Sequence, residues 1–153
     1  MSAFPPVAEL LPHAGNMILL DEVLSCENDA LTARFTIRPC PYSLENGGLP
    51  PWMGLEILAQ GIAAWAGIQT RRAGESVKLG FLLGTRRYDC HVDIFPANAA
   101  YVIRVENTMQ DANGMCIFEC RMQDADQAVV AQARLNVYQP SDSSLYTQEP
   151  TST

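Results

Sequence analysis

A single lysine, Lys78, stands in a chain of 153 residues, against nine arginines and seventeen carboxylates, for a formal net charge of −7. Phosphate backbones and anionic lipid surfaces are held by clustered cations, so this balance argues against nucleic acid and membrane as partners. Histidine is almost as scarce: His13 and His91 are the only two, which confines imidazole chemistry to two positions. No Gly-x-Gly-x-x-Gly, phosphate-binding loop or Gly-x-Ser-x-Gly occurs, so dinucleotide, nucleotide and serine-hydrolase chemistry lack their sequence signatures. No apolar run has the length of a membrane span. The first residues, MSAFPPVAELLP, show neither the positive start nor the apolar stretch of a secretory signal, and the expectation is a cytoplasmic protein.

Cysteine is present but in a pattern that excludes a disulfide framework. Cys26, Cys40, Cys90, Cys116 and Cys120 are odd in number and irregular in spacing, as expected of reduced, mostly buried thiols. Cys116-x3-Cys120 has no neighbours to complete a zinc site. His91 alternates with Asp89 and Asp93 in YDCHVDI, a pattern expected of a solvated strand face or rim. Neither a metal nor a cofactor is expected.

What the chain does have is enough apolar residue, 48% against 18% charged, to build one core. Phe4 to Leu11 could form a short helical turn, and Ile18 to Ser25 reads as a strand. Leu31, Ala33, Phe35 and Ile37 alternate with polar partners as in a half-buried strand. After an irregular loop punctuated by Asn46-Gly47-Gly48, Pro50-Pro51 opens a helix expected to run to about Arg72, with Gly74 as terminator. That helix is apolar nearly all round and should be wrapped by other structure. From Val77 the pattern is β: Leu79, Phe81 and Leu83, then Tyr101 to Val105, a hairpin turn at Asn113-Gly114, Cys116 to Met122, and Val129 to Val137. Two strands before one helix and about four after it predict an α+β fold, an antiparallel sheet curled around a single long central helix. Residues 1–139 form this one domain, and the Ser-, Thr- and Pro-rich tail 140–153 is expected to be disordered.

Within the apolar helix the polar intrusions are Glu56 and Gln60, four apart and so on one helix side. A carboxylate in a dry setting must be paired, hydrogen-bonded or shifted in pKa. Glu56 is therefore either tied structurally near the helix start, where the dipole favours it, or a reacting group. His13 in LLPHAGNM is either a loop imidazole or a partner for that carboxylate in acid–base work. The pairs Arg71-Arg72 and Arg86-Arg87 are either solvated charge or a docking patch for an acidic or phosphate-bearing partner.

The segments LLPHAGNMILLDEVL (10–24), MGLEILAQ (53–60) and FLLGTRRYDCHVDIFP (81–96) resemble 3-hydroxyacyl-[acyl-carrier-protein] dehydratases of the hot-dog fold, over about Glu9 to Val137. The commoner members carry a catalytic His in a Gly-His-Phe-Pro segment before the helix. Here that region reads YSLENGGLPPW, so the chain is more similar to the divergent dehydratases of aryl-polyene and related lipid gene clusters. The resemblance implies a hot-dog dimer with active sites at the subunit interface and an acyl thioester substrate on an acyl carrier protein. It implies Glu56 as the catalytic carboxylate and, with the loop His missing, His13 as base. On that footing Gln60 supports Glu56, and the N–H groups of Met53 and Gly54 polarise the thioester carbonyl. Trp52, Leu55 and Phe81 are candidates to line an acyl tunnel, and Arg71, Arg72, Arg86 and Arg87 to dock the carrier. Two other readings stay open: a hot-dog acyl thioesterase, and a non-catalytic partner subunit of a larger dehydratase assembly, pairing with another hot-dog subunit.

Overall fold

The apolar run after Pro51 folds as the longest helix among the described residues. A computed structural model describes residues 4–11, 15–74, 82–112 and 114–138. His13, Phe81, the start of the third strand at Val77, Asn113 of the hairpin turn and the tail 140–153 lie outside the described residues. A short helix α1 (Val7–Leu10) and a 3-10 turn (Gly15–Met17) precede strands β1 (Glu22–Cys26) and β2 (Ala30–Thr36). Helix α2 (Met53–Arg72) follows, and then β3 (Leu82–Cys90), β4 (Ala100–Gln110), β5 (Met115–Gln123) and β6 (Val129–Tyr138). The six strands form one antiparallel sheet in the order β1-β2-β4-β5-β6-β3. One face of the sheet packs on α2: Ile103, Val105, Phe118, Met122 and Leu135 are buried with Ile57, Leu58 and Ile62 of the helix. This is the hot-dog arrangement, a sheet wrapped around a single long helix.

Two boundaries differ from the sequence expectation, each for a stated reason. The first strand begins at Glu22, not at Ile18. Backbone groups of Met17 and Leu19 bond to the side chain of Gln60 on α2 instead of to a neighbouring strand, and strand pairing starts where the Asp21 N–H reaches the Arg34 carbonyl. The helix proper starts at Met53, because Pro50 to Trp52 form the preceding turn. It stops as the pattern suggests: Gly74 has φ +75°, a left-handed conformation that suits glycine, and its N–H bonds the Arg71 carbonyl.

The helix is also less enclosed than its composition suggests. Twelve of its twenty residues are buried. Leu55, Ala59 and Ala66 stay half-buried and share one side with exposed Trp52, so this chain alone does not cover that side.

Close backbone approach accounts for two of the helix glycines. A Cβ at Gly67 would sit 2.8 Å from the Leu10 carbonyl oxygen, whereas one at Gly61 would meet the mobile end of Ile103 at 2.7 Å. Alanine gains about 1 kcal/mol over glycine within a helix, but overpacking against backbone costs about 1–3 kcal/mol. Gly67→Ala is therefore expected to lower the melting temperature, and Gly61→Ala to lower it less or raise it, in paired thermal melts.

Candidate active site at the start of the central helix

The first turn of α2 has no side-chain cap. Its backbone is held instead by the turn before it, with Met53 N–H bonding the Pro50 carbonyl (3.0 Å), Gly54 N–H that of Pro51 (3.1 Å) and Leu55 N–H that of Trp52 (3.2 Å). Met53 and Gly54 thus already have acceptors for their N–H groups, and the oxyanion role expected of them would require those bonds to yield. A second clamp comes from the sheet. The Tyr88 hydroxyl on β3 donates to the Pro51 carbonyl at 2.5 Å. Burial, and after it the neighbouring Cys90 thiol, raise the Tyr88 pKa well above the usual phenol range, so Tyr88 stays a neutral donor.

Gly54 makes this clamp possible. A Cβ there would lie 2.2 Å from the Tyr88 hydroxyl oxygen. Gly54→Ala is expected to push Tyr88 away and shift the helix start, destabilising the protein. The double variant Gly54→Ala/Tyr88→Phe should melt above Gly54→Ala alone, because removing the hydroxyl removes the closest contact and leaves ring carbons of Phe95 and residue 88 at 3.1 and 3.3 Å. A thermal-melt double-mutant cycle measures the difference.

Glu56 follows in the first turn, half-buried, where a negative group meets the positive end of the helix dipole. One turn on, Gln60 is wholly buried. Its amide nitrogen donates to the Met17 carbonyl (2.7 Å) and to Glu56 Oε1 (3.4 Å), and its oxygen accepts from the Leu19 N–H (2.9 Å). Gln60 therefore does more than support Glu56: it fastens the segment after His13 to the helix. His13 itself is outside the described residues, but the chain on both sides of it is anchored on α2, Leu10 against Gly67 and Met17 on Gln60.

That segment also closes a cavity of about 240 Å³, lined by Ile18, Leu19, Phe35, Ile37, Leu49 and Ile57 among others. Asn16, Thr36 and Arg38 add polar groups to the lining, and the helix reaches the cavity through Ile57; Glu56 is not among the residues that line it. Trp52 lies elsewhere. It is 56% exposed and meets Tyr42 edge-on, ring centroids 5.5 Å apart. Leu55 packs half-buried at the core margin. Neither is among the residues that line the cavity.

The two arginine pairs that are candidates to dock the carrier lie on different elements. Arg71 pairs with Glu9 (3.1 Å) and Arg72 bonds the Cys26 carbonyl (3.1 Å), both at the C-terminal end of α2. Arg86 and Arg87 lie on β3, where Arg87 pairs with Asp89 at 2.6 Å. His91 is exposed after β3. Among the described residues no three His, Cys, Asp or Glu side chains come together as metal ligands, and no helix is long and apolar enough to cross a membrane. The five cysteines are unpaired thiols, and burial drives the Cys120 pKa up to about 12.

Tyr88 and the backbone ties of Gln60 escape the sequence reading. Alternation along LLGTRRYDC carries no signal that one aromatic reaches across to a proline carbonyl. A lone buried glutamine marks polar need without naming its partners.

Comparison with known proteins agrees with this fold. No curated protein sequence matches the chain. One solved structure, the dehydratase heterocomplex ApeI:P from Xenorhabdus doucetiae, superposes with a TM-score of 0.83 at 28% identity, over 94% of this chain and 97% of that one. Protein PH1136 from Pyrococcus horikoshii (TM-score 0.63, 12% identity, 93% and 99% covered) and AziG from S. sahachiroi (0.61, 12%, 79% and 90%) share the fold. The sequence pattern of the ApeP-like family, ApeP dehydratase, matches residues 5–148, and the chain belongs to that dehydratase family.

Proposed function

We propose that the protein removes water from 3-hydroxyacyl thioesters, borne on an acyl carrier protein, to give trans-2-enoyl thioesters in fatty-acid or aryl-polyene-type lipid biosynthesis in the cytoplasm. The observation that carries this reading is the joint placement of Glu56 and Gln60. A half-buried carboxylate stands at the positive end of the helix, and the buried amide beside it holds the segment that follows His13. Dehydration needs a proton taken from C2 and a proton given to the departing C3 hydroxyl. His13 is assigned the first task and Glu56 the second. The cavity beside Ile57, walled by Ile18, Leu19, Phe35 and Leu49 with Thr36 and Arg38, offers space for the acyl chain.

The half-covered helix side at Trp52, Leu55, Ala59 and Ala66 fits a hot-dog dimer, with a second copy or with a different hot-dog subunit over the site. A second reading is favoured by two features: residues 39–52 hold no histidine, and a similar solved structure is a heterocomplex, ApeI:P. On that reading the chain completes a partner's site without reacting itself. The test is to offer 3-hydroxyacyl and enoyl thioesters to the purified chain, alone and co-expressed with a second hot-dog subunit. Enoyl absorbance and free thiol are followed separately. Reversible absorbance change without thiol release is expected. Thiol release would instead identify a thioesterase, and activity indifferent to the residues of this chain would identify a partner subunit.

A further inference from the structure

The outward face of the sheet carries a charge pattern that the dehydratase reading does not use. Strand register places Glu106, Glu119, Arg134 and Arg87 side by side across β4, β5, β6 and β3. Two residues along, the same strands present Arg104, Arg121, Gln132 and Asp89. Across the strands like charges therefore sit directly opposite each other: Glu106 against Glu119, Arg104 against Arg121, and Arg134 against Arg87. Such pairs are unfavourable within one sheet. Only part of this is relieved inside the chain, by Arg134 with Glu119 (2.6 Å), Arg87 with Asp89 (2.6 Å) and Arg104 with Glu27 (3.3 Å). Among the described residues the Glu106 and Arg121 side chains have no partner. Between the two rows lies a groove of about 550 Å³.

The pattern has a symmetry. One row runs minus, minus, plus, plus, and the other plus, plus, neutral, minus. A two-fold axis lying in the contact plane and parallel to the strands sets each row against its own reverse. Glu106 then faces the partner's Arg87, Glu119 faces the partner's Arg134, and Arg104 faces the partner's Asp89. Arg121 faces the partner's Gln132, whose amide oxygen can accept from it. No like-charge contact arises anywhere in the two rows. We infer that this face is an isologous interface in which two copies of the chain pack sheet to sheet, joined by complementary charge. It is independent of the sheet edge and of the open side of α2, so it would join two dimers and leave their active sites untouched.

The groove holds five arginines and three carboxylates, and an anion is the competing occupant. The test uses the full chain, with particle mass measured by sedimentation at about 50 mM and about 500 mM salt, which shortens electrostatic reach from more than 10 Å to a few Å. The wild-type mass should halve at high salt. Glu106→Arg and Arg87→Glu should each halve it at low salt, with a dissociation constant raised by about tenfold or more. The double variant Glu106→Arg/Arg87→Glu, which restores opposite charges across the axis, should regain the full mass. A mass indifferent to salt and to both single variants overturns the proposal, as does failure of the double variant to recover. So does inorganic phosphate binding in the groove of a chain whose mass never doubles.

Discussion

Glu56→Gln is expected to lower kcat for dehydration by about 10²–10⁴-fold, the range associated with losing a positioned proton donor. The substitution keeps shape and leaves a side-chain oxygen to accept from the Gln60 amide, 3.4 Å from Glu56 Oε1 in the native protein. What it removes, on the proposed assignment, is the proton for the departing hydroxyl. Melting temperature should therefore change little while turnover collapses, and substrate binding should hold, since no bulk is added near the cavity. The measurement is kcat and KM from enoyl absorbance, with a thermal melt alongside. His13→Ala should produce a loss of similar size if His13 takes the C2 proton. Full activity in His13→Ala would remove the assignment of the base. Full activity of Glu56→Gln in complex with a second hot-dog subunit would transfer the chemistry to that subunit and leave this chain as a partner.

The features legible in the sequence are those that depend on periodicity. Alternation at Leu31 to Phe35, at Tyr101 to Val105 and at Ala131 to Val137 becomes the buried face of β2, β4 and β6, whereas Val129, expected on that face, is exposed beside a register shift in the ladder and Val130 is buried instead. The helix end at Gly74 is a local backbone requirement and is equally visible. The first strand was harder to place because its early residues satisfy their backbone through a side chain forty-one residues away, Gln60 with Leu19. No local pattern encodes such a bond. Glu56 and Gln60 stand out because they interrupt an apolar helix, and the structure puts them within reach of one another. The placement of the two arginine pairs is not legible for the opposite reason. Adjacent pairs such as Arg71-Arg72 and Arg86-Arg87 say nothing of which side of a sheet each will occupy, and here one pair ends the inner helix while the other sits on an edge strand.

Gln60 ties the segment after His13 to the helix and bonds Glu56, and two substitutions probe those ties. Gln60→Leu keeps the volume but strands the Met17 carbonyl and the Leu19 N–H, bonded natively at 2.7 and 2.9 Å. Each buried group left unpaired costs about 1–3 kcal/mol. At roughly 2–4 °C per kcal/mol for a chain of this size, the melting temperature should fall by about 5–20 °C. Gln60→Glu asks a different question. Its carboxylate can still accept from Leu19, but it cannot donate to Met17, and it confronts Glu56 one turn away. Burial and the neighbouring carboxylate both favour the neutral acid, so the folded-state pKa of this new group lies above its unfolded value of about 4.3. The folded protein then binds more protons than the unfolded chain between those two values, and stability falls as pH rises through that window. Relative to wild type, Gln60→Glu should be nearly as stable at a pH near 4, where the acid can donate to Met17, and clearly weaker at neutral pH. Denaturant titrations of both proteins across that range measure the difference. A gap that does not widen with pH would mean that the Met17 bond contributes nothing to holding the segment after His13 against the helix.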